Sequence, residues 1–192
     1  MKPLNIAGIS GSLRKKSFNS GLLKSLHNYL PPDAVLSVIS IAEIPMYNGD
    51  LDLPSAKERP EAVTQFRNQL AEADAVIFVS PEYNYSIPGV LKNAIDWASR
   101  GKDSPLLNKP VGLMGVTPGM WGTAKMQIAF LPVFKYLSME LVSKPEILIS
   151  QAKNKFDQNG FLTDSSTIDL VKQHLEALVQ LAVVKNLEET NH

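Results

Sequence analysis

The feature that most constrains the fold is the run AVIFVS at residues 75–80, apolar at every position but its last. A strand with one face in water alternates apolar and polar residues, whereas an unbroken apolar run has to be covered on both faces, as central strands of parallel sheets are. Four more short apolar segments, at residues 4–9, 35–41, 110–116 and 141–147, read as further strands. Helical stripes lie between them. Phe18, Leu22, Leu26 and Tyr29 recur at spacings of four, four and three before Pro31 and Pro32 stop the pattern. A second helix starts at Pro60 and runs through Phe66 and Leu70 to about Glu72. Pro88 opens a third, with Leu91, Ala94, Ile95 and Ala98 on one face. Residues 122–137 form a fourth, which Pro132 is expected to kink. Residues 165–187 form the last, lined by Ile168, Val171, Leu175, Leu178 and Ala182. Five strands alternating with five helices specify a doubly wound α/β sheet with helices on both faces. There is no repeat, linker or low-complexity stretch, so residues 1–192 are expected to form one domain.

Composition excludes several classes of function. Lys+Arg and Asp+Glu balance at 19 each, and the only basic cluster, Arg14 to Lys16, is too short for a nucleic-acid stripe. No apolar run approaches the roughly 18 residues that span a bilayer, and the amino terminus lacks a signal-like core, so a cytoplasmic location is expected. There are no cysteines. Disulfides, thiolate metal sites and the Cys nucleophile of phosphatases with this type of fold are thereby excluded. Any redox chemistry has to be carried by a cofactor.

In an open parallel sheet, ligands bind beyond the carboxyl ends of the strands, where the strand order reverses. Three loops therefore matter. The first runs from Ser10 to Asn19 and joins a strand to a helix start, a place that favours anions. Ser10, Ser12 and Ser17 offer hydroxyls, Arg14 a guanidinium fork and Asn19 an amide. The loop has neither GxGxxG nor GxxxxGK[ST], so a terminal phosphate suits it better than a dinucleotide or a cleavable triphosphate. An ordinary capped turn fits the same residues. The second loop, Pro81-Glu82-Tyr83-Asn84-Tyr85-Ser86-Ile87-Pro88, presents two aromatic faces between prolines. It suits a planar heterocycle, or merely packs on the sheet. The third, Thr117-Pro118-Gly119-Met120-Trp121-Gly122, pairs a strand-end hydroxyl with glycines, and Trp121 could cover a ring, seal a subunit contact or sit in a core.

The segments GISGSLRKKSFNSGLL, IPMYNGDLD and above all PEYNYSIPGVLKNAIDWASR resemble the NADPH-dependent FMN reductase family, which includes bacterial quinone, chromate and azo-dye reductases. The resemblance extends from about Leu4 to Glu188. It implies a flavodoxin-like five-stranded sheet of order 2-1-3-4-5. It also implies FMN with its phosphate at Ser10, Ser12, Arg14, Ser17 and Asn19, its ring against Pro81, Glu82, Tyr83 and Asn84, and its other edge along Thr117 and Gly119. NADPH, or NADH, is the implied electron donor and a small molecule the implied acceptor. The loop around Tyr47 and Asn48 is implied to approach a second subunit in a homodimer or homotetramer. Lys125 stands where relatives commonly have Arg, a change that matters if a forked ion pair is needed.

The expected activity is a two-step exchange at one open site, with position and electrostatics supplied by the protein and no side chain acting as nucleophile. His27, His174 and His192 are read as surface or packing residues, with no metal site. The sequence leaves two rivals. One is a flavodoxin-type carrier, which would usually be markedly acidic, and the other is a module that kept the fold and lost the cofactor.

Overall fold

The computed structural model describes residues 3–190. Six strands, β1 (Leu4–Ser10), β2 (Ala34–Ile39), β3 (Ala75–Val79), β4 (Pro110–Val116), β5 (Glu140–Leu141) and β6 (Ile147–Ile149), make one sheet. Its order is β2-β1-β3-β4-β5, with β6 also on β4, and every pairing is parallel. The helices are α1 (Phe18–Ser25), α2 (Glu61–Ala71), α3 (Gly89–Ala98), α4 (Ala124–Tyr136) and α5 (Ser165–Thr190). This is the flavodoxin-like arrangement expected from the sequence. No helix among the described residues is long and apolar enough to cross a membrane.

Strand alternation sorts the core into two layers. Ala75, Ile77 and Val79 of β3 point to the layer built with Leu22 and Leu23 of α1 and Val171, Leu175 and Leu178 of α5. Val76 and Phe78 point to the opposite layer, with Phe66 and Leu70 of α2, Leu91 and Ala94 of α3, and Phe130 and Phe134 of α4. All five β3 residues are buried, which is why the run is apolar at every position.

Three departures from the sequence reading bear on the architecture. The α-helical hydrogen bonding of α1 ends at Ser25 and tightens into a 3-10 turn at Leu26–Asn28, a common way for a helix to finish. The long loop after β2 contains its own 3-10 turn at Gly49–Leu51. The fifth strand is split: β5 ends at Leu141 and β6 resumes at Ile147, with Pro145 between them. Proline has no N–H for the ladder, so the chain leaves β4 and then returns to it.

The loop after β2 is anchored to α3. Asn93 accepts the Tyr47 N–H at 2.8 Å and donates to Pro45 O at 2.8 Å, and the Trp97 indole N–H reaches the same carbonyl at 2.8 Å. Buried Asp52 accepts from Arg59, whose guanidinium also reaches Asp103. Buried Arg67 donates to the carbonyls of Trp97, Ala98 and Arg100, which the end of α3 leaves without helical partners, and to Asp103.

The histidines follow the packing reading where they are described. His27 is exposed, and His192 lies outside the described residues. His174 is 1% exposed, with Nδ1 2.7 Å from Pro145 O and Nε2 without a partner. Burial pulls its pKa below the usual histidine value, and the contact with Pro145 O opposes this only in part. The unfolded chain takes up this proton near pH 6.5, before the folded chain does. The contribution to stability is therefore complete above about 6.5 and is lost as pH falls below it, with a slope of at most about 1.4 kcal/mol per pH unit. Urea unfolding between pH 7.5 and 5.5 should show a shallower acid-side loss for His174→Leu than for the parent. Parallel curves would mean that His174 does not resist protonation.

Candidate active site

The three loops singled out from the sequence stand side by side at the carboxyl edge of the sheet. The Gly11 N–H donates to Val79 O at 2.9 Å, which ties the first loop to the end of β3. A Cβ at Gly11 would collide with Ser80 Oγ and lie 2.9 Å from its Cβ, so the two loops touch because position 11 has no side chain. Asn19 bridges from α1 to β4, donating to Val116 O at 2.9 Å and accepting the Val116 N–H at 2.8 Å. The third loop is braced from behind. Thr117 N–H donates to Ile149 O, Ala152 N–H to Thr117 O and Gln151 N–H to Gly119 O.

The first loop is a compact set of donors. The hydroxyls of Ser10 and Ser20 are 2.8 Å apart, Ser12 Oγ accepts the Arg14 N–H, and Ser17 caps α1 by accepting the Ser20 N–H. Other N–H groups of the first turn have no carbonyl one turn back, as at every helix start. The Arg14 side chain is exposed beside them. Asn19 spends its oxygen and one amide proton on β4, so it braces the loop first and has one N–H left for a ligand.

The second loop is a tight hairpin. Tyr83 and Ser86 exchange both backbone hydrogen bonds, and Asn84 and Tyr85 have φ of 50° and 63°, the pattern of a type I′ turn. Positive φ is uncommon for a bulky side chain and costs on the order of 1–3 kcal/mol. Lys125 helps to hold it, with Nζ 3.2 Å from the Tyr85 ring centroid. That contact needs a point charge over a ring face and not a fork, so Lys suffices for it. Glu82 accepts the Met126 N–H at 3.0 Å in the first turn of α4, where the residue before the helix, Thr123, makes no side-chain cap. Its carboxylate thus positions the loop.

Together the loops present hydroxyl, amide and cationic donors at one end. At the other they present the exposed faces of Tyr83 and Tyr85 and the Thr117–Gly119 backbone. Such a set fits a phosphomonoester joined to a flat ring system. Trp121, at 90% exposure, is not a core residue, and Met120 beside it is 77% exposed. Sequence reasoning missed Ser20, whose place one turn into α1 marks it only in retrospect. It also missed the brace from Gln151 and Ala152, for which the sequence carries no signal.

The fold is that of a flavodoxin-like α/β protein, and the residues at this edge suit a phosphorylated ring cofactor. The sequence model of the NADPH-dependent FMN reductase family matches residues 4–154, and the chain belongs to that family. It is 43% identical to an NAD(P)H-dependent FMN reductase of Pseudomonas aeruginosa over 175 residues, covering 91% of this chain and 93% of that one. It is 38% identical to a quinone reductase of Escherichia coli K12 over 176 residues, covering 91% and 93%. Among solved structures it resembles FerB, a flavoenzyme NAD(P)H:(acceptor) oxidoreductase of Paracoccus denitrificans, with a TM-score of 0.83 and 31% identity over 93% of this chain and 97% of that one. The chain is accordingly an FMN-dependent NAD(P)H oxidoreductase, a reading that fits better than an electron carrier.

Proposed function

We propose that the chain is one FMN-binding domain that oxidises NADPH or NADH and reduces small acceptors of the quinone class, acting as a homo-oligomer in the cytoplasm. The observation that carries this is the contact of Gly11 with the end of β3, which sets the phosphate-type loop against the tyrosine loop. Ser10, Ser12, Arg14, Ser17 and the remaining N–H of Asn19 hold the phosphate. Pro81, Glu82, Tyr83 and Asn84 support the ring, and Thr117 and Gly119 line its other edge. FMN, when bound, supplies the two-electron chemistry between nicotinamide and acceptor.

The protein's own part is to position and to leave one face open. Glu82 accepts the Met126 N–H at the start of α4 and so positions its loop, and no catalytic side chain is assigned. A quinone acceptor is supported by the quinone reductase of E. coli, and free flavin by the FMN reductase of P. aeruginosa. Azo compounds and chromate are further acceptors for the same assay. Met46, Tyr85, Met120 and Trp121 are large apolar side chains left exposed, and a second copy that covered them would bury that area, which supports the homo-oligomer.

The test is an anaerobic titration of the purified FMN-loaded protein with each nicotinamide. Bleaching of the flavin should far outpace that of free FMN, and adding a quinone should restore the colour without any partner protein. Reduction no faster than for free FMN would remove the reductase reading. Bleaching that quinone cannot reverse would remove the acceptor.

A further inference from the structure

A groove of about 620 Å³ lies on the flank of α1, between that helix and residues 153–161. Its rim carries Arg14, Lys15, Lys16, Lys24 and Lys153 against a single carboxylate, Asp157. None of these five cations forms an ion pair among the described residues. Asp157 Oδ1 is already occupied, accepting the N–H groups of Asn159 and Phe161. In a chain with equal numbers of basic and acidic residues, this is a concentrated positive field over one concavity.

The groove is built as well as charged. The 153–161 segment crosses α1 where two glycines meet: a Cβ at Gly21 would strike Gly160 O, and Gly160 has φ of 84°. Phe156 packs on Phe18 with ring centroids 5.3 Å apart, and both line the groove beside the half-exposed Phe161. Aromatic surface beneath unpaired cations suits a base attached to a phosphorylated sugar. Its volume is that of a nucleotide-sized pocket. It also lies next to the active edge. Gln151 and Ala152 brace the third loop, and the following residue, Lys153, lines the groove.

We infer that this groove receives the phosphorylated adenosine end of the nicotinamide donor, and that its cations select the extra ribose phosphate of NADPH over the hydroxyl of NADH. The inference rests on the reductase reading above and adds to it a subsite that adjoins the FMN phosphate loop, shares Arg14 and Ser17 with it, and extends beyond it to Lys24 and Lys153. Lys24 and Lys153 are the residues to change, because neither is among the proposed FMN contacts and both are exposed.

The experiment uses the FMN-loaded protein and the double variant Lys24→Gln/Lys153→Gln. Calorimetry measures binding of adenosine 2′,5′-bisphosphate, 5′-AMP and inorganic phosphate, and steady-state assays give kcat/KM for NADPH and NADH. The bisphosphate should bind the parent at least tenfold more tightly than 5′-AMP or phosphate. The variant should lose at least tenfold of that affinity, and its NADPH-to-NADH ratio of kcat/KM should fall by a similar factor. If the bisphosphate binds no better than inorganic phosphate, or equally well to both proteins, the inference is wrong even where both nucleotides reduce the flavin. If neither nucleotide reduces it, the reductase reading fails instead, and bisphosphate binding still reports on the groove alone.

Discussion

Arg67→Ala is expected to lower the free energy of unfolding by about 3–5 kcal/mol, which for a chain of this size means a fall in Tm of roughly 10 °C. The guanidinium is buried and donates to the Trp97, Ala98 and Arg100 carbonyls at 2.9, 2.9 and 3.2 Å, and to the Asp103 carbonyl at 3.0 Å. Removing it leaves the end of α3 with acceptors that have little access to water, each costing about 1–3 kcal/mol. Asp103 is mostly exposed, so the loss of its ion pair adds little. The main effect comes from the carbonyls. Arg67→Lys should recover only part of the loss, because one ammonium cannot reach both ends of the span that the planar fork covers. Urea unfolding of the three proteins checks this. A loss below about 1 kcal/mol for the alanine variant would show that water replaces the guanidinium, contrary to the burial seen here.

Gly11→Ala is expected to weaken FMN binding by about ten- to a hundredfold, some 1.4–2.8 kcal/mol, within the range that overpacking costs. The added methyl meets the Ser80 hydroxyl and carbon, and Leu91 behind them at 3.1 Å, so the first loop must move away from the second. A ligand held by its phosphate on one loop and by its ring on the other is then no longer matched at both ends. Ser80→Gly in the Gly11→Ala background removes the obstructing side chain and should restore much of the affinity. Fluorescence titration of the apoprotein with FMN gives the dissociation constants. Affinity within twofold of the parent, with the fold intact by circular dichroism, would mean that the contact between the loops does not set the site.

Much of the candidate site was legible because its signals are local. A serine-rich turn between a strand and a helix, a tyrosine pair between prolines and a glycine-bearing strand end can each be read from a few adjacent residues. Their adjacency in space also follows from the sheet rule that places ligands at carboxyl ends. What could not be read is how each polar group is spent. Asn19 looks like one more donor in a hydroxyl-rich loop, yet its amide is committed to Val116, 97 residues away. Glu82 reads as a residue of loop geometry and ring contact, and the sequence does not show that its carboxylate is spent on the first turn of α4. The split of the last strand had a visible cause in Pro145, but the return of the chain to β4 depends on the length of chain beyond it.

The alternation of fully apolar strands with amphipathic helices, the absence of cysteine and the residue types of the three loops are properties of the chain alone. They were enough to determine the sheet, its two covered faces and that any redox chemistry has to be carried by a cofactor, because burial and backbone geometry act over a few residues at a time. The tertiary structure decided which donors remain free, which charges are paired, and that Lys24 and Lys153 share one groove although they lie far apart in sequence. Those outcomes depend on contacts between distant segments, where hydrogen-bond capacity is finite and a group taken by one partner is lost to another.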